Sequence, residues 1–210
     1  MTKRLPIGRP SRRTQAQRSA ETRERVLQAV VDCIVDEGLQ ATTAARIVER
    51  SGVTWGAIAH QFGDKDSLLL AVLERTFQNQ ARRFAAHEIR ALSARNRVDL
   101  LVDETWSRMN DPSLQVFLEI VLGRRAGDTD ELRSRREEMV VGATQKLWNE
   151  MFRDLGVDAK TIDTVRKLTL ATLLGMALQG MMGPRRPRFA RELEILKRSV
   201  LRELGLADGE

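Results

Sequence analysis

Between Thr43 and Leu69 the chain gathers side chains suited to reading the groove of a nucleic acid. Thr54 and His60 bring a hydroxyl and an imidazole that can hydrogen-bond to base edges. Trp55 and Ala57 bring apolar surface of the kind that meets a thymine methyl, with Gly56 in the same contact set. Thr43 and Lys65 are placed to hold phosphates, and Arg46 to add a backbone or base contact. The chain shows no nucleophile paired with a base, no Gly-rich phosphate loop and no metal-ligand spacing, so this is the chemistry of recognition and not of an enzyme.

Such side chains work only when a firm helix presents them. Two short helical patterns meet at Ser51-Gly52-Val53, and the second, opened by Thr54, runs through Ile58 to Phe62. Ala44, Ala45, Ile47 and Val48 give the first helix a small apolar inner face; Gly52 supplies the left-handed or tight backbone that the turn needs, and Val53 fills the angle between the helices. Thr54 suits an N-cap that satisfies a free backbone donor. Ile58 and Phe62, four apart, form the buried side, and Trp55, Ala57 and His60 are expected to face outward. Asp64 caps the next helix. Lys65 in its first turn stands where the helix dipole favours an acid, a placement that a phosphate partner explains. The pattern is a helix-turn-helix, whose second helix lies in the major groove of DNA. The competing reading is a plain glycine turn between two packing helices.

The run Thr54-Trp55-Gly56-Ala57-Ile58-Ala59-His60-Gln61-Phe62-Gly63-Asp64-Lys65-Asp66-Ser67-Leu68-Leu69 resembles the DNA-binding signature of the TetR family of bacterial regulators. Val26 to Gly38, with Thr42-Thr43, resembles that family's first helix and the start of its second. The resemblance implies an all-α protein: an N-terminal three-helix helix-turn-helix head over 21–68 joined to a C-terminal helical body over 69–210 for ligand binding and dimerisation. It further implies a homodimeric repressor that binds double-stranded operator DNA of pseudo-palindromic sequence and is released by a small, mostly apolar effector. Two positions depart from the family's pattern. Ala59 and Gln61 stand where the family usually has a tyrosine that touches the DNA backbone and a histidine or tyrosine, which shifts weight onto His60. An architectural protein that coats DNA without an effector is the alternative of another class.

Beyond the head the helical period continues. Leu70, Leu73, Phe77, Ala81 and Phe84 mark one face of a long helix that links head to body. Further helices are expected at about 97–110, 113–125, 129–155, 159–182 and 188–205, with breaks at Asp111-Pro112, Gly127, Gly156 and Gly183-Pro184-Arg185-Arg186-Pro187. Trp106, Met109, Phe117 and Met139, with Trp148, Met151 and Met176, offer large adaptable apolar surface for an effector, and Thr172 a polar contact; each also serves as ordinary core. Phe189, Leu193, Leu196, Val200 and Leu204 recur at steps of four and three, a narrow apolar seam. With Leu174, Leu178 and Met181 on the preceding helix, it is the expected dimer surface under the family resemblance, or an internal packing seam without it.

Composition agrees with an all-helical fold: 42% hydrophobic and 4% aromatic with no tyrosine, in a chain of 210 residues. One cysteine, Cys33, forms no internal disulfide, two histidines form no cluster, and no metal or cofactor is expected. No apolar run is long enough to span a bilayer and the charged start is not a signal peptide, so a cytoplasmic protein is expected. Residues 1–20 carry Lys3, Arg4, Arg9, Arg12, Arg13 and Arg18 with no acid, as much positive charge as the whole chain's net +6. This stretch reads as a disordered basic arm whose Arg9, Arg12 and Arg13 contact DNA, and Gly8-Arg9-Pro10 resembles the core of an AT-hook. Minor-groove insertion and a solvated tail both fit it. Deleting residues 1–20 is expected to lower DNA affinity and flatten its salt dependence, since fewer counterions are released. Mobility shifts across a salt series check this, and a larger loss on sites with A·T-rich flanks marks minor-groove insertion.

Overall fold

The computed structural model describes residues 14–109, 111, 113–123, 130–182 and 189–206; among them lie nine α-helices and no strand. Thr14 opens the first. Its hydroxyl accepts the Gln17 N–H at 3.2 Å while the Gln17 side chain accepts the Thr14 N–H at 2.8 Å, a reciprocal cap. Helix α1 (Gln15–Glu37) therefore begins inside the stretch assigned to the basic arm. Arg9, Arg12 and Arg13 lie outside the described residues. Then come α2 (Ala44–Ser51), α3 (Trp55–Phe62), α4 (Lys65–Ala85), α5 (Ala94–Met109), α6 (Ser113–Leu122), α7 (Asp130–Phe152), α8 (Ala159–Met182) and α9 (Ala190–Glu203). The expected spans agree with α5 to α9 to within a few residues. Gly156 ends a short 3₁₀ turn after α7, whereas Pro112, Gly127 and the Gly183 to Pro187 stretch fall outside the described residues.

Two apolar cores organise these helices. In the first, Val26, Leu27, Val30 and Ile34 of α1 meet Ile47, Val53 and Ile58 of the helix-turn-helix and Leu68, Leu69 and Val72 of α4. Each such side chain contributes roughly 1.5–3 kcal/mol on leaving water. Cys33 is buried beside them. This core does not stop at residue 68: Val116 and Ile120 of α6 are buried in it as well. Polar contacts hold α6 in place. The Leu39 N–H donates to Glu119 Oε2 at 2.5 Å, Gln115 Nε2 donates to the other Glu119 oxygen at 2.9 Å, and Arg136 Nη1 of α7 donates to the Ile120 carbonyl at 3.0 Å.

The second core joins Phe84 at the far end of α4 to Val98, Leu101 and Val102 of α5, Trp148, Met151 and Phe152 of α7, and Leu173 of α8. It also takes in Leu193, Leu196, Val200 and Leu204, between 2% and 8% exposed. The α9 seam is thus satisfied within one chain, because its stripe packs onto α5 and α8. Phe189 likewise turns inward and meets the Trp106 ring edge-on at 5.6 Å. The large apolar side chains left outside are others: Leu122 on α6, Val141 on α7, and, on the two C-terminal helices, Leu168, Leu178 and Ile195, at 58%, 40% and 56% exposure. The side chain of Met181 lies outside the described set.

Arg97 pins the second core. Nearly fully buried, it donates to the carbonyls of Leu92, Met151 and Arg90 and to Asp154 Oδ1, the last at 2.6 Å. Arg97→Met leaves those acceptors without a donor and is expected to destabilise the protein by about 3 kcal/mol in chemical denaturation. The Arg97 hydrogen bond holds the Asp154 carboxyl below its ordinary value. Its contribution is therefore present above the ordinary carboxylate range and is lost as pH falls through the lowered value. Asp154→Asn should be less stable than the parent near neutral pH and converge with it in acid.

Candidate functional site

The turn between α2 and α3 is built as its residue types require. Gly52 takes φ 64°, ψ 21°, the left-handed conformation, and a Cβ there would meet nothing within 4 Å, so backbone strain alone selects glycine. The Thr43 hydroxyl accepts the Arg46 N–H at 3.3 Å and caps α2; the Thr54 hydroxyl accepts the Ala57 N–H at 3.4 Å and caps α3; Asp64 accepts the Ser67 N–H at 2.7 Å and caps α4. That last bond holds the Asp64 carboxyl below its ordinary value.

Helix α3 buries Ile58 against α1 and α4 and leaves Thr54, Gly56, Ala57 and His60 exposed on one surface, with Lys65 half-buried just beyond. Trp55 differs from expectation: it is half-buried and packs on the head core. Positions 55, 58 and 62 are spaced three and four apart, so Trp55 shares the stripe of Ile58 and Phe62. Ala45 is exposed instead of lining the inner face of α2. Arg46 is engaged within the head, its guanidinium meeting Glu37 at 2.6 Å and Glu49 at 2.5 Å, while Arg50 meets Asp36 and Glu37. The Arg46 hydrogen bond, with that from Arg50 beside it, lowers the Glu37 pKa, and the same Glu37 bond raises that of Arg46. Arg46 thus ties α2 to α1 and is not held toward a partner.

One flank of this surface escaped the sequence reading. Arg18, Ser19 and Thr22 of α1 line a shallow hollow with Ala57, His60 and Gln61, and Gln61 Nε2 donates to the Ser19 carbonyl at 3.4 Å. Arg18 therefore stands on a capped helix beside the recognition surface; the Thr14 and Gln17 spacing was the signal for it.

A cavity of about 210 Å³ lies on the seam between the two cores. Helix α4 lines it with Thr76, Phe77 and Gln80, α5 with Thr105, Arg108 and Met109, α6 with Ser113, Leu114 and Phe117, and α7 and α8 close it with Val140, Thr144, Leu170, Ala171 and Leu174. The rings of Phe77 and Phe117 meet edge-on at 6.3 Å. Of the residues assigned to an effector, Met109 and Phe117 line this cavity. Trp148, Met151 and Met176 are second-core residues, Trp106 packs against that core, and Met139 packs on the head core. Thr172 is half-buried and donates its hydroxyl to the Leu168 carbonyl at 2.8 Å. Leu174, expected at a dimer surface, faces the cavity. Gln80 and Arg108 were missed because a polar residue on a helix reads as a solvated one.

Residues 26–72 match the family model described as "Bacterial regulatory proteins, tetR family". The HTH-type transcriptional regulator CymR of Pseudomonas putida is 23% identical over 186 residues, 87% of this chain and 90% of that protein. BetI 1 of Chromohalobacter salexigens is 32% identical over 87 residues, 41% of this chain and 43% of that regulator. Among solved structures, the transcriptional regulator FadR from Bacillus subtilis in complex with stearoyl-CoA has the same fold, with a TM-score of 0.61 at 19% identity over 88% of this chain and 98% of that one.

Two substitutions test the assembled head. Gly52→Ala should destabilise it by about 1–2 kcal/mol through the left-handed backbone alone; thermal unfolding reads this. Ala57→Glu should leave folding intact and abolish operator binding in a mobility-shift titration, since it sets bulk and negative charge on the exposed face of α3.

Proposed function

Since this chain belongs to the TetR family of bacterial transcriptional regulators, we propose that it acts as a homodimeric repressor that holds a pseudo-palindromic operator and is released by a small effector. Thr54, Ala57 and His60 meet base edges, Thr43, Lys65 and Arg18 hold phosphates, and Trp55 serves mainly to seat α3. The exposed surface of α8, where Leu168, Gly175 and Leu178 follow steps of seven and three, joins with Ile195 of α9 against a second copy. Among the described residues no helix is long and apolar enough to cross a membrane.

The observation that carries this reading is the position of the cavity. Its α6 wall belongs by packing to the head and its α5 and α8 walls to the body, so a molecule lodged there acts on the junction of the two. Two heads of a dimer must present α3 roughly 34 Å apart, or a multiple, to engage successive major grooves. A ligand that displaces α6 or α4 carries the head with it, through Glu119 on the Leu39 N–H and through Leu68 to Leu73. Driving a dimer from 99% competent to 99% released requires a preference of about 5.5 kcal/mol for the released state.

Footprinting on genomic DNA tests the regulator reading: protection of a few pseudo-palindromic sites supports it, and broad protection supports an effector-independent coating protein. Release is tested by linkage, since operator DNA must weaken effector binding by the factor by which effector weakens operator binding. In calorimetry, unchanged effector affinity with operator present would end the release mechanism. Glu119→Gln should lower that coupling, because the amide accepts the Leu39 N–H without the carboxylate's charge.

A further inference from the structure

Arg108 is an unusual lining for a small apolar cavity. It shares the space with Phe77, Met109, Leu114, Phe117 and Leu174. Elsewhere in the body, Arg97, Arg166 and Lys197 each meet a carboxylate within 3 Å. Arg108 does not: its Nη1 donates to the Gln80 side-chain carbonyl, and among the described residues no carboxylate stands within ion-pair distance of it. The charges acting on it are Arg83 and Glu104, whose Oε2 stands 3.5 Å from Arg83 and accepts no hydrogen bond among the described residues. The three groups together therefore carry one positive charge in excess. Burial, the larger cause, and Arg83 pull the Arg108 pKa down to about 10, which still leaves it protonated at neutral pH. A half-buried cation whose direct partner is neutral has lost part of its solvation, and an anion in the cavity would restore that loss.

Access to that cation is also built. A wider polar cleft of about 680 Å³ between α1, α4 and α5 shares Thr76, Gln80, Arg108 and Ser113 with the cavity, which places Arg108 where the two meet. Asp32, Asp36 and Asp111 border the cleft, and each is engaged: Asp32 Oδ1 accepts Gln28 Nε2 at 2.8 Å, Asp36 meets Arg50 at 2.5 Å, and Asp111 Oδ1 accepts the Ser113 N–H at 2.8 Å.

We propose that the effector is a small organic monoanion, a carboxylate with a compact acyl or aryl body, whose carboxylate pairs with Arg108 and whose body fills the space between Phe77 and Phe117. This rests on the reading of the cavity as the effector site, and it replaces the mostly apolar effector that the family resemblance implied with a charged one. A cavity of about 210 Å³ is small beside the roughly 300–1,000 Å³ of drug-sized sites, which favours a compact body over a long lipid chain. The planar guanidinium presents two parallel N–H donors that match a carboxylate.

The test is calorimetry on the full chain with benzoate, phenylacetate, hexanoate and octanoate, each beside its primary amide, and with phenyl phosphate. At least one carboxylate should bind about tenfold or more tightly than its amide, the difference one charged hydrogen-bonded pair makes. Arg108→Met should abolish that preference while keeping or raising the thermal midpoint, since it removes a half-buried charge that no carboxylate pairs. Arg108→Lys, which keeps the charge and loses the fork, should retain part of it. Amides that bind as well as acids, a preference that survives Arg108→Met, tighter phenyl phosphate, or no acid binding at all would each overturn the proposal. Operator binding in the same samples separates the two readings. A carboxylate held by Arg108 that leaves the operator bound ends the release mechanism and keeps the site. A neutral amide that releases the operator from parent and Arg108→Met alike ends the anionic ligand and keeps release.

Discussion

The arrangement of this protein depends on where α6 is seated. Val116 and Ile120 are buried among Leu27, Val30, Ile34 and Leu69, and Glu119 accepts the Leu39 N–H at the point where α1 ends. A helix that follows the body's α5 in the chain thereby becomes part of the head. Because interiors are close-packed, such a helix moves as a unit with what it packs against and does not deform smoothly. The cavity is the consequence: Ser113, Leu114 and Phe117 face helices that belong to the other core.

Helix α4 crosses the same boundary without a break. Its first turns, from Leu68 to Leu73, are locked in the head, and Phe84 is locked in the body. Between them Thr76, Phe77 and Gln80 face the cavity. The segment best able to pass a displacement along is thus the one a ligand touches. Within the head the opposite holds. Arg46 and Arg50 bridge α2 to Asp36 and Glu37 near the end of α1, and three side-chain caps start α2, α3 and α4. Exposed ion pairs of this kind add little stability one by one. Together with the apolar core they keep the orientation of α3 tied to α1, so the head turns as one piece.

The sequence by itself determined the helix-turn-helix, the caps at Thr54 and Asp64, the glycine turn at Gly52, and nearly all helix spans in the body, whereas the cap at Thr43 came from the structure. These are local: a cap is a bond over three residues, a left-handed glycine is a property of one, and an amphipathic period shows within a few turns. It also determined which residues are apolar, and so the burial of Cys33, Ile58 and the α9 seam. What only the tertiary structure decided is where each apolar stripe is buried. Leu193, Leu196 and Val200 cover α5 and α8 in their own chain, and Trp148 and Met151 fill the second core, because a stripe that packs inward and one that awaits a partner share the same spacing. The boundary placed at residue 68 could not show α6 joining the head from nearly fifty residues downstream. Arg108, on a helix where charge normally means solvent, became a cavity residue only when α4, α6 and α8 closed around it. Burial of a charge depends on neighbours remote in the chain, and no local pattern records it.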